Sequence, residues 1–264
     1  METAAPAEIR RSRLERAIAE RGFLRVTDAS AELGVSGVTV RSDLSVLERE
    51  GRVIRIHGGA MLPTTAPDSE SSFESSLALR GAAKRAIGRE AAALVVSGNS
   101  VLLDVGTTAL AVAHALIDRA DLTDVLVVTN GLTIALALEA AMPRFTVVVT
   151  GGTLRPLQHS LVDPYASPFL ESLHTDIAFI GCNGVTTANG ITNVNLPEAE
   201  VKRRMVLSTA RPVAIADSSK LGIARLGGIA PLSAIDTLVT DGAASEEVVA
   251  GLREAGLTVL VARP

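Results

Sequence analysis

Val26-Thr-Asp-Ala-Ser-Ala-Glu-Leu33-Gly34-Val-Ser36-Gly-Val-Thr-Val-Arg41-Ser-Asp-Leu44-Ser-Val-Leu47 has the spacing of two short helices joined by a tight turn. Thr27 is a plausible N-cap for a helix ending near Leu33, Gly34-Val35 forms the turn, and Ser36 caps a further helix running to about Glu50, where Gly51 ends it. On that last helix Val40, Leu44 and Leu47 fall at i, i+4 and i+7, a stripe that faces a core. Gly37, Val38, Arg41, Ser42 and Ser45 are left on an outward stripe, the positions that enter the major groove when such a helix lies on DNA. Arg41 can reach two acceptors on guanine or grip a phosphate. Ser36, Thr39 and the free N–H groups of the helix start can receive a phosphate.

Working outward, Ala7 to Arg21 reads as a preceding helix, with Leu14, Ala17 and Ile18 at helical spacing and Gly22 as its stop. Downstream, Arg52 to Ile56 is extended, His57-Gly58-Gly59 turns, and Ala60 to Leu62 returns as a second strand. Arg55 and His57 lie two apart, so they share a face and can touch DNA as a wing. Residues 63–79 are rich in Pro, Ser and Thr without apolar periodicity and read as a linker. The expected organisation is therefore a winged helix-turn-helix over 1–62, a linker over 63–79 and a larger domain over 80–264.

The larger domain alternates. Apolar runs at Val101–Asp104, Val125–Thr129, Phe145–Thr150, Ile177–Ile180, Val213–Ala216, Thr237–Thr240 and Leu257–Val261 are separated mostly by helical patterns. These are Ala82–Val96, Ala109–Ile117, Thr133–Ala141, Pro197–Ala210 and Ser245–Ala255. Such alternation implies an α/β fold with a doubly wound, mostly parallel sheet. Composition agrees: 47% of residues are hydrophobic but only 2% aromatic, so the core is built from Ala, Val, Leu and Ile.

Charge does not by itself select a partner. The net charge is −4, yet residues 1–62 carry ten Arg against nine acidic residues, a net of +1. One cysteine, Cys182, excludes a disulfide framework and suits a reducing compartment. No apolar stretch is long enough to cross a bilayer and the first residues lack a signal-peptide pattern, so a cytoplasmic location without a membrane partner is expected. His57, His114, His159 and His174 show no metal-ligand spacing, so no metal is expected.

In the second domain, Asp104-Val105-Gly106-Thr107-Thr108 follows an apolar strand and opens a helix. Such a turn cradles an anion with backbone N–H groups and hydroxyls, or simply makes a turn capped by Thr107; the residues alone do not choose. Thr129-Asn130-Gly131, Thr150-Gly151-Gly152-Thr153 and Gly181-Cys182-Asn183-Gly184 end other strands, and ligands of open α/β sheets bind at such ends. There is no Walker loop and no Gly-x-Gly-x-x-Gly, so no dinucleotide or other cofactor is expected. Lysine usage is informative: against twenty-two Arg there are three Lys, at 84, 202 and 220. A Lys retained where Arg is favoured suggests need of a compact ammonium. Lys220 again follows a strand, in Asp217-Ser218-Ser219-Lys220; Lys202 has Glu198 four residues before it, which also makes an ordinary surface pair.

The runs Ser36–Leu44 and Arg55–Ala60 closely resemble the N-terminal signature of DeoR-type transcriptional regulators. Ser42 departs from it, standing where the family usually has Arg, and so does Gly37-Val38. The resemblance continues through Lys84–Gly88, Asp104–Thr108, Thr129–Gly131, Gly151-Gly152, Asp176–Gly181, Glu198–Met205 and Asp217–Lys220. It implies a sensor domain similar in fold to ribose-5-phosphate isomerase and coenzyme A transferases. The effector implied is a phosphorylated sugar or related catabolite, with Lys84, Asp104, Gly106, Thr107, Thr108, Asp217 and Lys220 in or near its pocket. Asp163 replaces a usual Gly, and a carboxylate there, if it faced the pocket, would oppose a phosphate. The expected partners are a double-stranded operator, the effector and further copies of the chain. The expectation is of a repressor of sugar or polyol catabolism genes, not an enzyme. The rival is an isomerase- or deaminase-like enzyme using Asp104, Glu198, Asp217 and Lys220 for proton transfer.

Overall fold

The computed structural model describes residues 7–21, 23–50, 52–56, 58–61 and 70–263. The chain divides between Leu79 and Arg80 into two compact units.

The first unit runs α1 (Ala7–Arg21), β1 (Leu24–Arg25), α2 (Val26–Leu33), α3 (Gly37–Arg49), β2 (Ile54–Ile56), β3 (Gly59–Met61) and α4 (Phe73–Leu77). Leu14 and Ile18 of α1, Val26 and Ala29 of α2, and Val40, Leu44 and Leu47 of α3 share one core with Leu24, Val53 and Ala60. The expected helix-turn-helix is thus formed around the expected apolar stripe. Thr27 is not its N-cap. Arg25 holds that place, two residues earlier, because it is still paired in β1 and Val26 donates its N–H to the Gly58 carbonyl at 2.7 Å. The wing has three antiparallel strands in the order β1-β3-β2, one more than the sequence suggests. Gly59 makes the third possible. A Cβ there would lie 2.3 Å from the Leu24 carbonyl oxygen and 2.4 Å from the Phe23 ring. Within the stretch read as linker, Ser72 caps α4 by accepting from the Ser75 N–H at 3.2 Å; residues 62–69 lie outside those described.

The second unit runs α5 (Gly81–Ala92), β4 (Ser100–Leu103), α6 (Thr107–Asp118), β5 (Val125–Thr129), α7 (Leu132–Leu138), β6 (Phe145–Val149), β7 (Thr153–Arg155), β8 (Ser160–Val162) and α8 (Ala166–Glu171). It continues through β9 (Thr175–Gly181), β10 (Gly184–Thr186), β11 (Gly190–Asn193), α9 (Leu196–Leu207), β12 (Thr209–Ile215), β13 (Gly227–Ala230), β14 (Thr237–Asp241), α10 (Glu246–Glu254) and β15 (Thr258–Ala262). All seven apolar runs become strands of one parallel sheet in the order β15-β14-β12-β9-β4-β5-β6. Leu102, Ala178, Ile180, Ala214, Leu238 and Val259 pack with α8, α9 and α10. Their buried neighbours Val101, Leu103, Ile177, Phe179, Val213 and Val239 point to the other face, where α5 and α6 lie. Burial on both faces is why these strands read as continuous apolar runs.

The strand order reverses between β4 and β9. From β4 the chain builds outward through β5 and β6, then crosses to β9 and builds the other way. This is the switch point at which the two loops diverge and leave a crevice at the carboxyl ends. Two small elements flank the sheet: the hairpin β7-β8, and a three-stranded sheet β10-β11-β13 packed on α9.

Candidate functional site

On α3, Ser36 accepts from the Thr39 N–H at 3.2 Å, and the two hydroxyls lie 2.9 Å apart. With Val40, Leu44 and Leu47 buried, the opposite face presents Arg41, Ser42 and Val38, the last 73% exposed. Gly37, Thr39 and Ser45 are half-buried beside them. An exposed valine of that size on a helix of this length is available for an apolar contact, such as a thymine methyl group. Arg55 on β2 donates to Ser45 Oγ at 2.8 Å, and Ser45 Oγ donates to the Arg41 carbonyl at 2.9 Å. Two residues singled out separately therefore bind each other and tie the wing to α3. His57 lies outside the described residues. Asp43 lies within the Ser36–Leu44 run but has no role assigned from sequence; it is buried and takes Arg10 Nη2 at 3.1 Å, clamping α1 to α3.

In the second unit the parallel sheet brings the polar strand ends to one edge. At the switch point Asp104 is fully buried; its Oδ2 accepts from the Gly181 N–H at 2.9 Å and from Lys202 Nζ. Lys202 Nζ also donates to the Gly181 carbonyl at 3.0 Å. Lys202 is thus no surface partner of Glu198. Burial works against its charge, but Asp104 and then Glu198 outweigh burial and raise its pKa. Glu198, itself buried, accepts from Ser160 Oγ at 2.6 Å and pairs with Arg155 of the hairpin. That pairing carries no signal in the sequence, since Arg155 is one of many arginines.

A second polar group lies at the end of β12. Lys84 is buried in the first turn of α5, and its pKa is lowered to about 8, first by burial and then by Lys220 and Arg80, against the pull of Asp217. Asp217 accepts from Ser219 N–H at 3.0 Å and lies 3.6 Å from Arg80 Nε. Asp241, at the end of β14, accepts from the Ser218 N–H at 3.3 Å. Arg80, which the sequence does not single out, holds a left-handed conformation at the start of α5. Three cations thus gather around Asp217.

The two groups are neighbours. Cys182, at the end of the intervening β9, feels both Lys202 and Lys220; burial pushes its thiol up to about 12, which makes it a filler rather than a nucleophile. Helices α5 and α6 both run back from this edge and touch where Gly88 meets the Ala111 backbone. One turn earlier on each are Lys84 and Thr107. Gly106 precedes Thr107 with φ 117°, a conformation that only glycine adopts readily, and it delivers the chain into α6 with the first-turn N–H groups of Thr107 and Thr108 at the same edge.

Asn130 and Gly152 have mainly structural surroundings. Asn130 Nδ2 donates to the Leu161 carbonyl at 3.3 Å, and a Cβ on Gly152 would meet the Val162 carbonyl oxygen at 2.2 Å; both serve the hairpin. Asn130 Oδ1 and Asp104 Oδ1 remain, among the described residues, buried acceptors without a hydrogen-bond partner. Asp163 turns to α8, accepting from Ser167 N–H at 2.9 Å and Ser167 Oγ at 3.0 Å, instead of adding a free carboxylate to the edge. Among the described residues no group of side chains could hold a metal, and no helix is long and apolar enough to cross a membrane.

Residues 10–66 match the model of the DeoR-like helix-turn-helix domain, and residues 80–242 that of the DeoR C-terminal sensor domain. The chain is 36% identical to the HTH-type transcriptional regulator GlpR of Haloferax volcanii over 97% of each chain. It is 26% identical to the glycerol-3-phosphate regulon repressor of Escherichia coli K12, over 85% of this chain and 86% of the relative. Among solved structures, ribose 5-phosphate isomerase A of Methanocaldococcus jannaschii aligns with 52% of each chain at 19% identity and a TM-score of 0.39.

Proposed function

Because the chain belongs to the DeoR family of transcriptional regulators, we propose that it is a repressor of sugar or polyol catabolism genes, released from or held on its operator by a phosphorylated sugar-like effector. The observation that carries the effector half is the excess of cations around Asp217, where Arg80, Lys84 and Lys220 meet at the strand ends beside the start of α6. Cations in excess of their carboxylate favour a dianion, and helix N-termini favour phosphate. Lys84, Lys220, Gly106, Thr107 and Thr108 would take the phosphoryl group. The unpartnered oxygens of Asp104 and Asn130 would accept from the ligand's hydroxyl groups. Gly152 and Lys202 support the site from outside, through the hairpin and through Asp104.

The operator would be read by Val38, Arg41 and Ser42. Ser36, Gly37, Thr39, Ser45, Arg55 and His57 would position the phosphate backbone. Two copies on half-sites about 34–36 Å apart make affinity sensitive to any effector-driven change in their separation. Such a repressor works as a homo-oligomer in the cytoplasm. The enzyme reading is disfavoured at two of its four residues: Asp104 is held through Oδ2 by Lys202, and Glu198 by Arg155 and Ser160, so both carboxylates are committed to ion pairs. The test is operator affinity with and without a panel of sugar and polyol phosphates. A change with one of them supports the reading. Tight operator binding that none of them alters removes the sensing half.

A further inference from the structure

Helix α2 is the element expected to cross the DNA backbone when α3 lies in the major groove. In this chain α2 carries Asp28 and Glu32 and no cation at all. A backbone-facing helix whose own residues are purely acidic repels phosphate and leaves the grip on the backbone to the cations around it, Arg25 at its N-cap among them. The charge pairing shows where cations remain. Arg10 is held by Asp43, Arg21 by Glu32, and Arg52 by Glu15 and Glu50. Among the described residues Arg11, Arg13, Arg16, Arg25 and Arg49 pair with no carboxylate; of these Arg13 and Arg16 stand together on α1, both exposed, on one face with Glu8, Ile9 and Ser12.

The Arg10–Asp43 pair docks α1 against α3 next to Ser42, which is on the outward stripe. Along α1 Arg13 is rotated by about 60° from Arg10 and Arg16 by about 120°, so the two run from the edge of the α1–α3 contact round to its solvent side. The major groove is about 12 Å wide, so the strands bordering it pass over whatever flanks α3. We propose that Arg13 and Arg16 of α1 form a second, sequence-independent clamp on the DNA phosphate backbone, adding to the grip that the acidic residues of α2 do not supply.

This rests on the DNA-binding reading of α3, and the experiment separates the two. The full chain is titrated with a short duplex of arbitrary sequence over a range of salt concentrations. Each phosphate that a cation neutralises adds about 0.9 to the slope of log affinity against log salt. Arg13→Gln/Arg16→Gln is expected to make the slope shallower by about 0.9 for each phosphate no longer neutralised, while Arg13→Lys/Arg16→Lys keeps it. The preference for a selected operator over arbitrary duplex stays unchanged in both. An unchanged slope in the Gln variant, at wild-type melting temperature, overturns the clamp while leaving the α3 reading intact. Absence of salt-dependent binding by the wild-type chain overturns both. If the Gln variant melts early, the single charge reversal Arg13→Glu decides by the same slope.

Discussion

The ammonium of Lys202 is bonded to the carboxylate of Asp104, 98 positions earlier in the chain, and both are almost wholly buried at the point where the strand order reverses. The pair closes the crevice from below: Lys202 reaches across the end of β9 through the Gly181 carbonyl, and Asp104 receives the Gly181 N–H. Breaking such a pair from one side leaves a buried charge uncompensated.

Lys202→Met should therefore destabilise the second unit by about 3–5 kcal/mol. The double variant Asp104→Asn/Lys202→Met should recover part of that loss. Urea unfolding of the two variants and the wild type measures both. Equal stabilities for Lys202→Met and wild type would mean that the pair is not formed.

Lys84 sets a pH limit on anion binding. With its pKa lowered to about 8, it is charged at neutral pH and loses its proton as pH rises through that value. Affinity for a phosphorylated ligand should fall above about pH 8, and Lys84→Met should abolish that limb. Between about 8 and the ordinary 10.5 the unfolded chain holds a proton that the folded chain has lost. There Lys84 makes stability rise with pH, since charging it in the fold is no longer required. Calorimetric titration from neutral pH to well above the Lys84 pKa reads the first effect.

Arg41→Ala should cost roughly 1–3 kcal/mol of discrimination between operator and mismatched sites, about fivefold to 150-fold, with the melting temperature unchanged because Arg41 is exposed. Competition binding on the two duplexes measures it. An equal loss on both would reassign Arg41 to the phosphate backbone.

Gly59→Ala should break the pairing of β1 with β3, because the added Cβ would lie 2.3 Å from a backbone oxygen that cannot swing away. A loss of about 1–3 kcal/mol confined to the first unit is expected. Thermal unfolding followed separately on both units would show an early first transition and an unaltered second one.

The seven parallel strands are legible because the inner ones are largely buried on both sides, and even the part-exposed edge strands β6 and β15 are spelled in β-branched and apolar residues. The hairpin β7-β8 and the sheet β10-β11-β13 are not, since their strands are three or four residues long, and β10, β11 and β13 each open on a glycine, at Gly184, Gly190 and Gly227. Strand β1 has two residues, too few for any period. At the strand ends, Lys84, Lys202 and Lys220 stand out through their scarcity. Arg80 and Arg155 are hidden among twenty-two arginines, although they pair with Asp217 and Glu198. In the sequence Lys202 reads either as a residue of the effector pocket or as an ordinary surface partner of Glu198. Only the crossing of α9 over β9 and β4 turns it inward to Asp104.

The most direct measurement is the melting temperature of the full chain with a panel of phosphorylated sugars and polyols, each beside its unphosphorylated counterpart. A ligand that binds only the folded state raises the transition by mass action. The expected result is a rise with at least one phosphorylated compound, none with its counterpart, and loss of that rise in Lys84→Met and Lys220→Met. Equal shifts for both members of every pair, or no shift across the panel, would contradict a phosphate held at this edge of the sheet.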